Sequence, residues 1–188
     1  MATKQVLRLV LGDQLGPNSP VLRDADRKRD IILLAEVRDE AGYVRHNRHK
    51  IALIFSAMRH FARSLEDDGY TVIYRSFDEG VESLRDAVAE ALEERDAGAV
   101  AVAAPGEYRL LADMQGWEDA LNVPVHIRAD DRFLASTEDF DDWASGRKQL
   151  RMEYFYRDMR RRYELLMDAD GEPEGGQWNY DAENRSGW

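Results

Sequence analysis

Residues 7–15, LRLVLGDQL, constrain the fold more than any other stretch of the chain. Residues 5–11 are nearly all apolar, which suits a strand buried on both faces of a parallel sheet. The run then exits into a polar turn, Gly12-Asp13-Gln14. In an open α/β sheet the carboxyl end of such a strand is where ligands bind.

The rest of the chain repeats the pattern. Residues 12–30, with Pro17, Pro20 and a cluster of charges, read as a long connection with little regular structure. Further strands are predicted at 31–37, 70–75, 99–103 and 123–127. Between them Ile51, Ile54, Phe55, Met58, Phe61, Ala62 and Leu65 form one apolar stripe of a helix over 45–68, closed by Gly69. Helices are also predicted over 80–95 and 108–121. Ser136 or Thr137, with Glu138 and Asp139, starts another by capping logic. A last helix over 151–167 is crowded with aromatic residues.

Alternation of this kind implies right-handed crossovers. The expected fold is α/β: a Rossmann-like, doubly wound, five-stranded parallel sheet with helices on both faces and the first strand in the middle. The expected divisions are an α/β domain over 1–135, a helical extension over 136–167 and a linker or tail over 168–188, where Gly and acids dominate and periodicity ends.

Composition removes several function classes. The 188 residues include no cysteine, which excludes disulfides, thiolate metal sites and cysteine nucleophiles within them. No signal peptide and no membrane-spanning run is read, so a cytoplasmic location without membrane association is expected. The net charge of −11 opposes a phosphate backbone, except that residues 147–162 gather Arg147, Lys148, Arg151, Arg157, Arg160, Arg161 and Arg162. The plain reading of that segment is a solvated helix face or one docked on acidic protein surface.

The Gly12-Asp13-Gln14 turn carries no GxGxxG or GxxxxGK[ST] pattern and opens no helix, which disfavours a pyrophosphate-held cofactor. It is also similar to the Gly-Asp-Ser turn of some serine hydrolases, but Gln14 stands where the nucleophile would be. A structural turn is the competing reading. Other strand ends add polar groups to the same rim: Glu36 with Glu40, Ser76 with Asp78, and Pro105-Gly106-Glu107. His46 and His49 are three apart, but Arg45, Arg48 and Lys50 beside them oppose a cation, so no metal site is expected.

The stretches LVLGDQL, EVRDEAGYVRHNRHKIALIFSAMRHFARSLEDDGY, APGEYRLL, DDRFLAS, GRKQLRMEYFYRDMRRRYELLM and GGQWNYDAENR occur in that order. Together they resemble the deoxyribodipyrimidine photolyase-related proteins, the prokaryotic (6-4) photolyases and cryptochromes that carry an iron–sulfur cluster. The resemblance runs from Val6 to about Arg185. It implies that this chain is the N-terminal antenna domain and that FAD, a 4Fe-4S cluster and DNA-lesion binding belong to a C-terminal helical domain absent here. The chain alone is then not catalytic, DNA is reached only through the full-length protein, and exposed aromatics left by the missing partner could drive self-association.

The resemblance also implies a pocket for the antenna pigment 6,7-dimethyl-8-ribityllumazine at the carboxyl rim of the sheet. Its expected residues are Gly12, Asp13, Gln14, Glu36, Glu40, Ile54, Phe55, Met58, Pro105, Gly106 and Glu107. Asp13 or Glu40 would accept hydrogen bonds, Gln14 would donate and accept, and Ile54 and Phe55 would wall the ring. For Ile54, Phe55 and Met58 plain core packing is the competing reading. The alternative function is a Rossmann-like interaction or small-molecule-binding module with no pigment. Acid–base chemistry by Asp13 and Glu40 ranks last.

Overall fold

The computed structural model describes residues 5–180. Residues 181–188, which end the expected tail and the last motif, lie outside them. Five strands, β1 (Gln5–Leu9), β2 (Ile31–Ala35), β3 (Thr71–Arg75), β4 (Ala97–Ala103) and β5 (Val125–Arg128), form one sheet in the order β3-β2-β1-β4-β5. Every pairing is parallel. The expected α/β class and the central place of the first strand are both observed. Leu7 pairs with Ile31 on one side and Val100 on the other; Leu9 pairs with Leu33 and Val102.

Alternation along these strands builds two cores. One face of the sheet presents Leu7, Leu9, Ile31, Leu33, Val100 and Val102 to α3 (Leu84–Glu94), α4 (Tyr108–Met114) and α5 (Trp117–Leu121). The other presents Val10, Ile32, Leu34 and Ala101 to Met58, Ala62 and Leu65 of α2 (Arg48–Asp67) and to Val21 and Leu22. The connection over 12–30 therefore covers part of the sheet, a task usually given to a helix.

Arg8 explains how an irregular segment does so. It points from β1 into that second face and is buried. Its Nε donates to Asp30 at 2.8 Å and its Nη1 donates to the Val21 carbonyl at 2.7 Å and to Asp24 at 2.8 Å. Arg128 of β5 donates to the Pro20 carbonyl at 2.8 Å and again to Asp24. A buried charge is tolerable only when paired and hydrogen-bonded in this way. Burial opposes ionisation of Asp30 most strongly, yet the Asp26 N–H and Arg8 outweigh it, and its carboxyl lies below the usual range. Asp24 is also held low, by Arg128 first and Arg8 besides.

Helix boundaries differ from expectation for local reasons. The helix expected over 45–68 begins at Arg48, because Asn47 is extended and its side chain accepts from the His49 N–H at 2.8 Å. A separate short helix, α1 (Arg38–Gly42), precedes it. The helix expected over 80–95 starts at Leu84, where Ser83 and Asp86 form a capping box. Gly80 instead closes a 3-10 turn at φ 77°, and a Cβ there would meet the Arg38 guanidinium at 2.9 Å. The helix expected over 108–121 breaks at Gln115-Gly116, so that Trp117 enters the core fully and donates to Asp113 at 2.7 Å.

The chain divides into two compact units at Arg132/Phe133. In the second, α6 (Thr137–Ala144) carries Phe140 and Trp143, which pack on Phe155 of α7 (Met152–Arg162). The helix expected over 151–167 stops at Arg162. Glu164 and Leu166 turn left-handed, and Arg160 donates to the freed carbonyls of Leu165 and Leu166. Most of the basic segment is engaged inside this unit. Arg162 bonds Asp139, Arg157 bonds Glu153, Arg147 stacks on Trp143, and Trp178 lies against Arg157, Arg160 and Arg161. Arg162, with Ser136, lowers the Asp139 carboxyl to about 2. Among the described residues no helix is long and apolar enough to cross a membrane.

Candidate functional site

The strand order reverses direction around β1, with β2 on one side and β4 on the other. The chain leaves all three strands at the same edge, and a crevice opens where the connections diverge. It holds a cavity of about 230 Å³. Val10, Gly12 and Asp13 come to it from β1, Ala35 and Val37 from β2, and Pro105, Gly106 and Glu107 from β4.

The helix α2 supplies the apolar wall. Lys50, Ile51, Ile54, Phe55 and Met58 line the cavity from the helix N-terminus inward, a span of about 12 Å at 1.5 Å per residue. Gly12 lets the β1 exit meet this wall, since a Cβ there would lie 3.0 Å from Met58 Sδ and 3.2 Å from Ile54 Cγ2. Leu84 and Leu110 line it from α3 and α4. Gly106 presents bare backbone: a Cβ added to it would meet nothing within 4 Å.

Nine of the expected residues thus share one cavity: Gly12, Asp13, Glu40, Ile54, Phe55, Met58, Pro105, Gly106 and Glu107. Gln14 and Glu36 are not among its lining residues; each braces a wall from behind. Gln14 is buried, and its Nε2 donates to the Ala104 carbonyl at 3.0 Å, which ties the β1 exit to the β4 exit. The Glu36 side chain is wholly buried and accepts from Arg59 Nε at 2.6 Å, Arg59 Nη2 at 2.7 Å, the Phe77 N–H at 2.9 Å and the Tyr74 hydroxyl. Burial pushes the Glu36 carboxyl up, but these four donors outweigh it and hold it below its ordinary value. Arg59 follows Met58 on α2, so Glu36 fixes the helix that forms the apolar wall. Burial and the neighbouring Glu36 push the Tyr74 hydroxyl up.

Sequence reasoning missed Tyr43, His46, Lys50, Leu84, Leu110 and, just outside the lining, Arg109. Tyr43 and His46 meet edge to face, ring centroids 5.3 Å apart. Their closeness to Glu40 in the chain was the available signal. His46 Nε2 is buried and has no hydrogen-bond partner among the described residues. The Asp13 carboxylate accepts no hydrogen bond from the described residues, although the charge of Arg132 reaches it and the Arg132 guanidinium holds the Asp13 carbonyl at 2.9 Å. Glu40 has one oxygen on Arg109 at 2.7 Å, and Glu107 is bound to the same guanidinium at 2.8 Å. Among the described residues no three His, Asp or Glu side chains converge as a metal cluster.

The cavity therefore pairs an apolar wall with a buried His46 Nε2 that has no partner among the described residues and with the exposed, charged Asp13 and Lys50. That set suits a flat, uncharged heterocycle with polar edges and a hydroxylated arm.

Comparison with known proteins places the chain. Residues 8–188 match the family model described as deoxyribodipyrimidine photo-lyase-related protein. A (6-4) photolyase of Agrobacterium fabrum is 48% identical over 181 residues, which are 95% of this chain and 36% of that protein. The chain thus spans about a third of the length of that relative. An uncharacterized protein of Acanthamoeba polyphaga mimivirus is 25% identical over 152 residues, 78% of this chain and 75% of its own length.

Proposed function

The chain belongs to the deoxyribodipyrimidine photo-lyase-related protein family, and we propose that it is the light-harvesting, pigment-binding portion of a photolyase- or cryptochrome-like flavoprotein. The cavity at the β1/β4 switch point carries this reading. It is the place where a Rossmann-like sheet takes a ligand, yet it lacks a glycine-rich phosphate loop and offers an apolar wall instead.

The ligand we assign to it is 6,7-dimethyl-8-ribityllumazine. When bound, that pigment supplies absorption of near-ultraviolet or blue light and through-space transfer of the excitation. The chain's own residues supply the rest. Ile51, Ile54, Phe55 and Leu110 exclude water from the ring faces. Asp13 accepts a hydrogen bond from a ring N–H or a ribityl hydroxyl. His46 Nε2 and Lys50 meet the acceptors or hydroxyls toward the helix N-terminus. Gly106 leaves room for the ring to lie against backbone. Gln14 and Glu36 hold the walls apart at a fixed distance.

Catalysis is not assigned to these 188 residues. With no cysteine they hold no thiolate ligand for an iron–sulfur cluster. FAD, the cluster and DNA contact are assigned to a helical remainder of a longer protein, and the exposed Leu150, Met152, Tyr154 and Tyr156 of the second unit to its docking surface.

Purification from a lumazine-producing host tests the reading. A bound chromophore that absorbs in the near-ultraviolet or blue and is released on denaturation is expected. Colourless protein that also ignores added lumazine, in melting temperature and in pigment fluorescence, favours the module without pigment.

A further inference from the structure

Arg109 stands beside the cavity without lining it. We propose that Arg109 is a latch: a positioning residue that holds the segment 40–46 shut against the 105–107 loop and so sets how fast a ligand enters and leaves. The inference rests on the cavity being the ligand site.

Arg109 joins three separated parts of the chain. Its Nη2 donates to Glu40 Oε1 at 2.7 Å, its Nε donates to Glu107 Oε1 at 2.8 Å, and its guanidinium carbon lies 4.4 Å from the centroid of the Tyr43 ring. Glu40 and Tyr43 reach the cavity from the connection after β2, and Glu107 from the one after β4. Arg109 itself is not a lining residue, so it ties the two connections from outside.

The segment it holds has little other reason to stay closed. At its start the Arg38 and Asp39 N–H groups donate to the Val81 and Glu82 carbonyls; at its end Asn47 caps α2. Between those anchors no residue is buried as a whole, His46 burying only its ring edge at Nε2, and Tyr43 and Val44 are about half exposed at 48% and 49%. A span without buried apolar contacts opens locally at low cost. The latch is also in reach of solvent, with Arg109 45%, Glu40 33% and Glu107 38% exposed. Ion pairs in that setting are weak and screened by salt. The closed state is favoured, and the open state stays accessible.

The test is stopped-flow binding of 6,7-dimethyl-8-ribityllumazine to the full chain, followed by pigment fluorescence, with Arg109→Ala and Arg109→Lys beside the unaltered protein. Loss of a latch speeds both directions. In Arg109→Ala association and dissociation each rise about tenfold, while the dissociation constant moves much less. Arg109→Lys is intermediate, because an ammonium keeps a point charge but not the fork or the flat stack. Added salt moves the unaltered protein toward Arg109→Ala and leaves that variant unchanged. Faster dissociation with unchanged association makes Arg109 an ordinary contact and overturns the latch, as do two unchanged rates. Hydrogen exchange without pigment gives an independent reading. The amides of 40–46 exchange faster in Arg109→Ala while those of β1 and β2 do not, and unchanged exchange at 40–46 overturns the latch whatever the pigment does. If the unaltered protein ignores the pigment but this exchange difference appears, the pigment reading fails and the latch stands.

Discussion

β1 carries a polar cluster within its length and another at its carboxyl end, and they differ in one respect. Around Arg8 the donors and acceptors close on each other: Asp30, Asp24, the Val21 and Pro20 carbonyls and Arg128 form a saturated set. Around Gly12 and Asp13 the set stays open. Asp13 accepts no hydrogen bond from the described residues, and His46 Nε2 is buried without a partner among them. Buried polar groups are normally satisfied; the closed cluster obeys that rule, whereas in the open one His46 Nε2 breaks it and Asp13 stands exposed and free to meet a ligand. Charge content alone does not separate them; completeness of the hydrogen-bonding does.

Breaking the closed cluster has the largest effect. Arg8→Met takes from the wholly buried Asp30 its buried cation and leaves it only Arg29 at 3.3 Å, and a loss of about 3–5 kcal/mol of stability is expected from urea unfolding. A cost near zero would show the cluster to be decoration. Filling the open cluster acts on binding instead. Ile54→Trp places a large ring in the cavity; lumazine affinity falls by about 100-fold, roughly 2.7 kcal/mol, while the urea midpoint changes little. Equal pigment uptake by the variant would move the ring elsewhere.

Both regions show how far the sequence reaches. Strand positions and the α/β class follow from apolar runs with turns between them, and the rim follows from strand ends. Side-chain direction beyond a strand end does not, because turns have no period. Gln14 and Asp13 are neighbours, yet Gln14 folds back under the β4 exit and Asp13 faces the cavity. Glu36 looked like a rim acid, but its partners Arg59, Tyr74 and Phe77 are far away in sequence, and only tertiary structure brings them to it. Arg8 inside an apolar strand was legible as a residue but not as the anchor of residues 20–30. Tyr43 and His46 sit in a connection, where spacing carries no signal, and Arg109 lies in the first turn of α4.

Acid sharpens the comparison. The Asp24, Asp30 and Glu36 carboxyls are all lower in the folded protein than their ordinary values of 3.8, 3.8 and 4.5. Their stabilisation is complete above those values and fades as pH falls below them toward the folded-state values. Urea midpoints should therefore be level at neutral pH and decline below about pH 4.5. Glu36→Gln lowers the plateau by about 1.5–3 kcal/mol and removes part of that decline. A variant with an unchanged acid slope would deny Glu36 its share. The smallest effect is expected at the open cluster: Asp13→Asn alters stability by less than about 0.5 kcal/mol yet weakens lumazine binding several-fold. Comparable losses in both measurements would make Asp13 structural after all.

The pigment proposal rests on the crevice at the end of β1 holding a flat ring. Equilibrium titration of the protein with 6,7-dimethyl-8-ribityllumazine, read by pigment fluorescence and by melting temperature in the same samples, tests it most directly. The expected result is saturable one-to-one binding, a melting temperature that rises with pigment concentration, and loss of both signals in Ile54→Trp. No saturation and no thermal shift in the unaltered protein, or the same binding curve in Ile54→Trp, would contradict it.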